Sequence, residues 1–280
     1  MPNMMYHFVG CDGNLKGISL ENFKAQLDFL QRTYPRDEII LTFDHGTIDH
    51  FEKAVPELDR RGLKGIFFIL TMVPEEHKVL GIDKQRFLEA MFRVELAPMI
   101  CRELDLDYKP EEAQNYLSDF SFYSLEERYL RYLRDKNIST EAYDNFIGKY
   151  FEKYFGNEKM FASKKYLSWD HIVQLHKRGH IIGSHSHYHI GDRNDYAHSI
   201  KLIEWKIAEK VEYISYPNGM KRISDEDLEQ LGVRKAYISA ENGSEPYRIG
   251  RIDCNNEPLT VCQPRRINNG GKNDNAQKRS

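Results

Sequence analysis

Two rhythms of apolar and polar positions alternate along the 280-residue chain. Short segments at Met4 to Val9, Glu38 to Phe43 and Gly65 to Leu70 predict strands, and the last is apolar throughout, as a strand buried on both faces is. Between them the apolar residues return at helical spacing. Ser19 is placed to cap a helix carrying Leu20, Phe23, Leu27 and Leu30, and Asp49 to Arg61 reads as a second helix closed by Gly62. The succession strand, helix, strand, helix, strand is complete by residue 70.

From about Glu75 to Lys165 the pattern changes to long amphipathic segments, Phe87 to Leu104, Leu125 to Leu133 and Glu141 to Phe155, rich in Tyr, Phe, Glu, Arg and Lys. This predicts a helical insertion whose aromatic residues pack its helices on the main domain. The alternation resumes with a helix from Ser168 to Lys177 ended by Gly179, a strand from His180 to Ser184, a helix from about Tyr196 to Glu209 and a strand from Glu212 to Tyr216. Ser224-Asp225-Glu226-Asp227 opens one more helix, and Lys235 to Ser239 and Arg248 to Asp253 read as the last strands. Repeated strand-helix units imply an α/β fold with a parallel sheet, open or rolled into a barrel. In both forms chemistry sits at the carboxyl ends of the strands. Residues 1–262 are expected to form a single domain with the insertion at about 75–165, and the polar tail 263–280 to stand outside the fold.

With 40 basic and 43 acidic residues and a formal net charge of -3, no global field points to nucleic acid or an anionic membrane. There is no basic leader and no apolar run of the roughly eighteen residues that a spanning helix needs, so a soluble, cytoplasmic protein is expected. Cys11, Cys101, Cys254 and Cys262 include no two-residue-spaced pair, which argues against a zinc knuckle or a dithiol redox centre. Cys254 and Cys262 could bridge only in an oxidising compartment.

The chemistry is concentrated at two strand ends. His185 and His189 stand four residues apart directly after the strand His180 to Ser184, and if the chain curls there both imidazoles turn onto one cation. Leu41-Thr42-Phe43-Asp44-His45-Gly46 ends another strand. Consecutive side chains diverge in an extended chain, so Asp44 and His45 share a pocket only where the strand bends, and Gly46 permits that bend. His45, His185 and His189 would supply three neutral nitrogens with an open fourth position, a set that suits catalytic zinc. Zinc lowers the pKa of bound water, and Asp44 is placed as the base that takes its proton. The expected reaction is metal-assisted hydrolysis of an amide or ester.

At these residues the chain resembles the polysaccharide deacetylases of the NodB-homology type, carbohydrate esterase family 4. Thr42-Phe43-Asp44-His45-Gly46 is similar to their first motif, Thr-Phe-Asp-Asp-Gly, and His185-Ser186-His187-Tyr188-His189 to their second, His-Ser/Thr-x-x-His. Tyr216-Pro217-Asn218-Gly219 is similar to the third motif in relatives with Tyr-Pro-x-Gly, and Tyr6-His7, Leu167-Ser168-Trp169-Asp170 and Arg251-Ile252-Asp253 are supporting likenesses. The resemblance covers most of residues 4–253 outside the insertion. It implies a distorted (β/α) barrel and metal-dependent removal of acetyl from an acetylated amino sugar or oligosaccharide, such as an intermediate of cell-surface polysaccharide assembly. It also implies Asp44 as catalytic base, His185 and His189 as metal ligands, Tyr216 and Pro217 along the substrate groove, and a backbone amide near Tyr216 for the oxyanion.

Three departures from that pattern matter. His45 stands where the family has a second, metal-binding Asp, which makes the centre one unit more positive and should favour zinc over harder metals. The third motif lacks the Arg with which many relatives tune the base. No histidine follows His198, so the relatives' late general acid is missing, and His7, on a strand expected at the same barrel mouth, is the first candidate to protonate the leaving amine. His187, an alternate residue of the loop, is expected to point away from the metal, while Asp170 and Arg251 are candidates for orienting hydrogen bonds. Two readings compete with a sugar N-deacetylase: a deacylase of a different amide, and a carbohydrate-binding protein that kept the barrel but lost catalytic power at His45.

Overall fold

In the computed structural model, which describes residues 3–11, 15–118, 123–239 and 243–254, the buried apolar runs become parallel strands. The tail beyond residue 262 and Cys262 lie outside the described residues. The strands are β1 (Asn3–Tyr6), β2 (Ile40–His45), β3 (Gly65–Ile69), β4 (Ile181–Ser184), β5 (Tyr213–Ser215), β6 (Lys235–Ile238), β7 (Ser244–Glu245), β8 (Arg248–Gly250) and β9 (Ile252–Asp253). Their order is β7-β8-β6-β5-β4-β3-β2-β1-β9, with only the β7–β8 pair antiparallel.

This order closes the sheet on itself. β8 pairs with β6 and β9 with β1, at opposite sides of the sheet, yet the chain passes from one to the other through the single residue Arg251. Asn3 Nδ2 donates to the Gly250 carbonyl at 2.8 Å and the Cys254 amide to the Met5 carbonyl at 3.0 Å, stitching the seam. The result is a distorted (β/α) barrel. The expected strand from Arg248 to Asp253 is thus two strands that belong to two different neighbours.

Local chemistry places the surrounding helices. Ser19 Oγ accepts the Asn22 amide and opens helix Leu20–Thr33, which buries Phe23, Leu27 and Leu30 against the barrel. The segment from Asp49 begins as a π-helical turn at His50–Ala54 and continues as helix Val55–Arg61, ended by Gly62 in the left-handed conformation at φ 63°. Ser168 caps helix Trp169–Lys177. Central strand β3 is buried at every position, which is why its sequence is apolar without alternation.

Between β3 and β4 the chain builds the insertion. Its helices Gly81–Phe92, Leu125–Tyr132, Thr140–Phe155 and Glu158–Lys165 surround a second apolar core that includes Leu88, Leu130, Phe146 and Phe151. Phe87 to Leu104 is not one helix: it breaks into Gly81–Phe92 and Leu96–Glu103 across a 3-10 turn, with Arg93 at φ 53°. Pro98 accounts for the break, because proline lacks an N–H and is tolerated only in the first turn, so a fresh helix starts just ahead of it. Among the described residues no helix is long and apolar enough to cross a membrane.

Candidate active site

The carboxyl ends of β1, β2, β4 and β5 come together at one mouth of the barrel. His7 follows β1, Asp44 and His45 end β2, His185 to His189 follow β4, and Ser215 ends β5. The bend anticipated after Phe43 is made by two left-handed residues, His45 at φ 71° and Gly46 at φ 77°. A non-glycine residue there costs of order 1–3 kcal/mol and persists only where its surroundings over-determine it. Ser186 and His189, at φ 66° and 63°, are held in the same region.

Asp195 curls the histidine loop. One carboxylate oxygen accepts the amides of His187 and Tyr188 at 3.1 and 2.7 Å, and the other those of Ile190 and Gly191, both at 2.9 Å. Folded around this acceptor, the loop brings the His185 and His189 rings together at an interplanar angle of 61° with their Nε2 atoms 3.2 Å apart. One nitrogen from each of His45, His185 and His189 lies within 4.8 Å of the others.

The remaining ring nitrogens of His45 and His185 already have partners. His185 Nδ1 donates to Ser215 Oγ at 2.6 Å, and Ser215 Oγ donates onward to Asp44 Oδ1 at 3.3 Å. His45 Nδ1 faces both carboxylate oxygens of Asp83, at 2.9 and 3.1 Å. In each ring Nε2 is thereby the nitrogen left to face the cluster. Burial, followed for His189 by His185 and His45, depresses the ring pKa values to about 3 for His185 and about 2 for His189, so both rings are neutral at pH 7. Inward-facing imidazole lone pairs on neutral rings form a donor set that fits a divalent cation, and three nitrogens with room for a fourth ligand are typical of catalytic zinc.

Asp44 lies deeper, clamped by Arg251. The guanidinium makes the bidentate pair, Nη1 to Oδ1 at 2.7 Å and Nη2 to Oδ2 at 2.8 Å, with both side chains almost fully buried. Burial alone would raise the Asp44 pKa, but Arg251 holds it far below the usual carboxylate range. The third motif has no arginine, and the guanidinium at Asp44 comes instead from the residue that closes the barrel. A carboxylate offers about four acceptor positions, and Arg251 and Ser215 fill three, which leaves one at Oδ2.

His7 packs edge-on to His45 with ring centroids 5.1 Å apart, and burial, then Arg86 and His45, keep its pKa well below the ordinary value. His187 turns away from the triad to Thr71 Oγ1 at 2.8 Å and Glu76 at 3.1 Å. Tyr216 and Pro217 are buried, the Tyr216 hydroxyl donates to the Tyr247 carbonyl, and its amide donates to the Tyr237 carbonyl at 2.9 Å. The phenol and that amide are both bonded within the fold, and a 3-10 turn at Pro217–Gly219 follows β5. Tyr188, Ile190 and Met220 are exposed, the Tyr188 hydroxyl donates to Glu76 at 2.8 Å, and Arg222 ties the 217–222 segment to the histidine loop through the Ile190 carbonyl. Asp170 is an exposed residue of a helix first turn and orients no site group. Asp83 and Ser215 went unrecognised in the sequence.

No protein-family model matches the sequence, and no curated protein matches it significantly. Solved structures do. The chain is similar to the deacetylase PplD of Streptococcus pyogenes, solved in complex with acetate, with TM-score 0.55 and 13% identity over 94% of this chain and 98% of that one. It is similar to IcaB from Ammonifex degensii, with TM-score 0.54 and 14% identity over 93% and 94% of the two chains. It is also similar to the polysaccharide deacetylase BC0361 from Bacillus cereus, with TM-score 0.53 and 12% identity over 94% of this chain and 68% of that one. The chain has the fold of the polysaccharide deacetylases, the proteins whose motifs its sequence resembles.

Proposed function

We propose that the protein is a metal-dependent hydrolase that removes the N-acetyl group from an acetamido sugar, in an oligosaccharide or a precursor of a cell-surface polysaccharide. The observation that carries this reading is the convergence of three histidine nitrogens within 4.8 Å, next to a buried carboxylate, at the mouth of a deacetylase-type barrel. His45, His185 and His189 would hold the cation, and a set of three imidazole nitrogens favours zinc. When bound there, such an ion acidifies water and polarises an acyl oxygen.

The chain's own residues supply the rest. Asp44, kept ionised by Arg251, accepts the proton of the attacking water at the open position of Oδ2. Ser215, between Asp44 and His185, ties the base to the metal-ligand set and fixes their relative position. The expelled amine needs a proton, and the one that Asp44 has taken from the water is returned to it through His7, beside His45, whose ring accepts at one nitrogen as it donates from the other.

Purified protein assayed for metal content and for acetate release from N-acetylglucosamine oligomers tests this function. The expected result is near-stoichiometric divalent metal, acetate production, and loss of both in His185→Ala. Metal-loaded protein that binds the sugar without releasing acetate would instead mark a carbohydrate-binding protein.

A further inference from the structure

The insertion sends a carboxylate into the candidate metal centre. Asp83 sits in the first turn of helix Gly81–Phe92, fully buried, and faces His45 Nδ1 with both oxygens. Its remaining acceptor capacity is taken by Arg86 Nη1 at 3.0 Å and the Tyr166 hydroxyl at 3.1 Å, so it is held from three sides. Tyr166 ends the insertion at the motif-one turn: it bridges Thr47, and the next amide, that of Leu167, donates to the Gly46 carbonyl at 2.9 Å. Entry and exit of the insertion thus both grip the turn that carries His45.

Such rigid placement is costly for a buried carboxylate and is retained where the charge has a use. A ring nitrogen bonded to a carboxylate through its N–H presents the other nitrogen as a stronger, correctly aimed ligand. His45 replaces a carboxylate ligand by a neutral ring, and Asp83 returns one negative charge to the centre through that ring.

We propose that Asp83 is a positioning residue of the metal centre, fixing His45 with its proton on Nδ1 and its lone pair on Nε2. The helical insertion is then part of the metal site rather than a remote cover. This inference rests on the reading of His45, His185 and His189 as metal ligands.

A double-mutant cycle read by zinc affinity, in competition with a chromophoric chelator, tests it. Asp83→Asn should weaken zinc binding by about 10–100-fold in the otherwise native chain. The same change should have little effect in His45→Ala, because Asp83 acts through that ring. Equal losses in both backgrounds, or an affinity within twofold of native in Asp83→Asn, would overturn the proposal. Nitrogen-15 NMR of the native, zinc-loaded protein provides a check independent of any variant's folding. A His45 proton on Nδ1 supports the proposal, and one on Nε2 refutes it. If the native protein binds no zinc, the metal reading itself fails, a result distinct from a native affinity that Asp83→Asn leaves unchanged.

Discussion

The side chains nearest the chemistry are neutral imidazoles and one locked ion pair, and both kinds make measurable predictions. His180, away from the histidine triad, accepts the Gly65 amide at Nδ1, and burial followed by the Lys64 charge lowers its pKa from 6.5 to about 4. The unfolded chain then takes up a proton first as pH falls. The stability this ring contributes is complete above about pH 6.5, declines between about 6.5 and 4, and falls no further below. Proton NMR of the His180 ring should show half-titration near pH 4, and a midpoint near 6.5 would contradict the burial argument. Arg251→Met leaves Asp44 buried without its partner and should cost about 3–5 kcal/mol in denaturant unfolding. A loss below about 1 kcal/mol would mean that the pair is solvated rather than buried. Asp44, His45, His185 and His189 were legible in the sequence because each lies beside a bend that its neighbours announce. Asp83, Ser215 and the pairing of Arg251 with Asp44 were not. Their partners are 38, 30 and 207 residues away, and Asp83 by itself looks like any acid favoured in a first helical turn.

At the level of elements, the strands were readable wherever both faces are buried, since β3 has no polar position to confuse the period. The seam was not readable. The residues from Arg248 to Asp253 look continuous, and only the closure of the sheet divides them between β6 and β1. The break between the helices Gly81–Phe92 and Leu96–Glu103 was signalled by Pro98 but masked by an apolar rhythm that runs through it. The histidine loop depends on helix Arg193–Ile207 through Asp195, whose carboxylate accepts four loop amides. Asp195→Ala should therefore cost at least about 2 kcal/mol, because charge-assisted bonds are lost and buried amides are left unpaired. Hydrogen exchange should show those four amides losing protection together. Unchanged protection would mean that the loop holds its shape without the carboxylate.

For the whole molecule, one parallel barrel gathers groups from β1, β2, β4 and β5, while the insertion and the seam each add a charged side chain from behind. Asp83 backs His45 of the proposed ligand set, and Arg251 backs Asp44, the proposed base. This division predicts that metal binding and catalysis separate by mutation, because among the described residues Asp44 is hydrogen-bonded to the histidines through the Ser215 hydroxyl and not directly. The decisive measurement is metal content and acetate release determined together on Asp44→Asn, with an acetylated glucosamine oligomer as substrate. The account predicts that metal stays near the native level while acetate release falls by about 10²–10⁴-fold. Native-like acetate release from Asp44→Asn would contradict it.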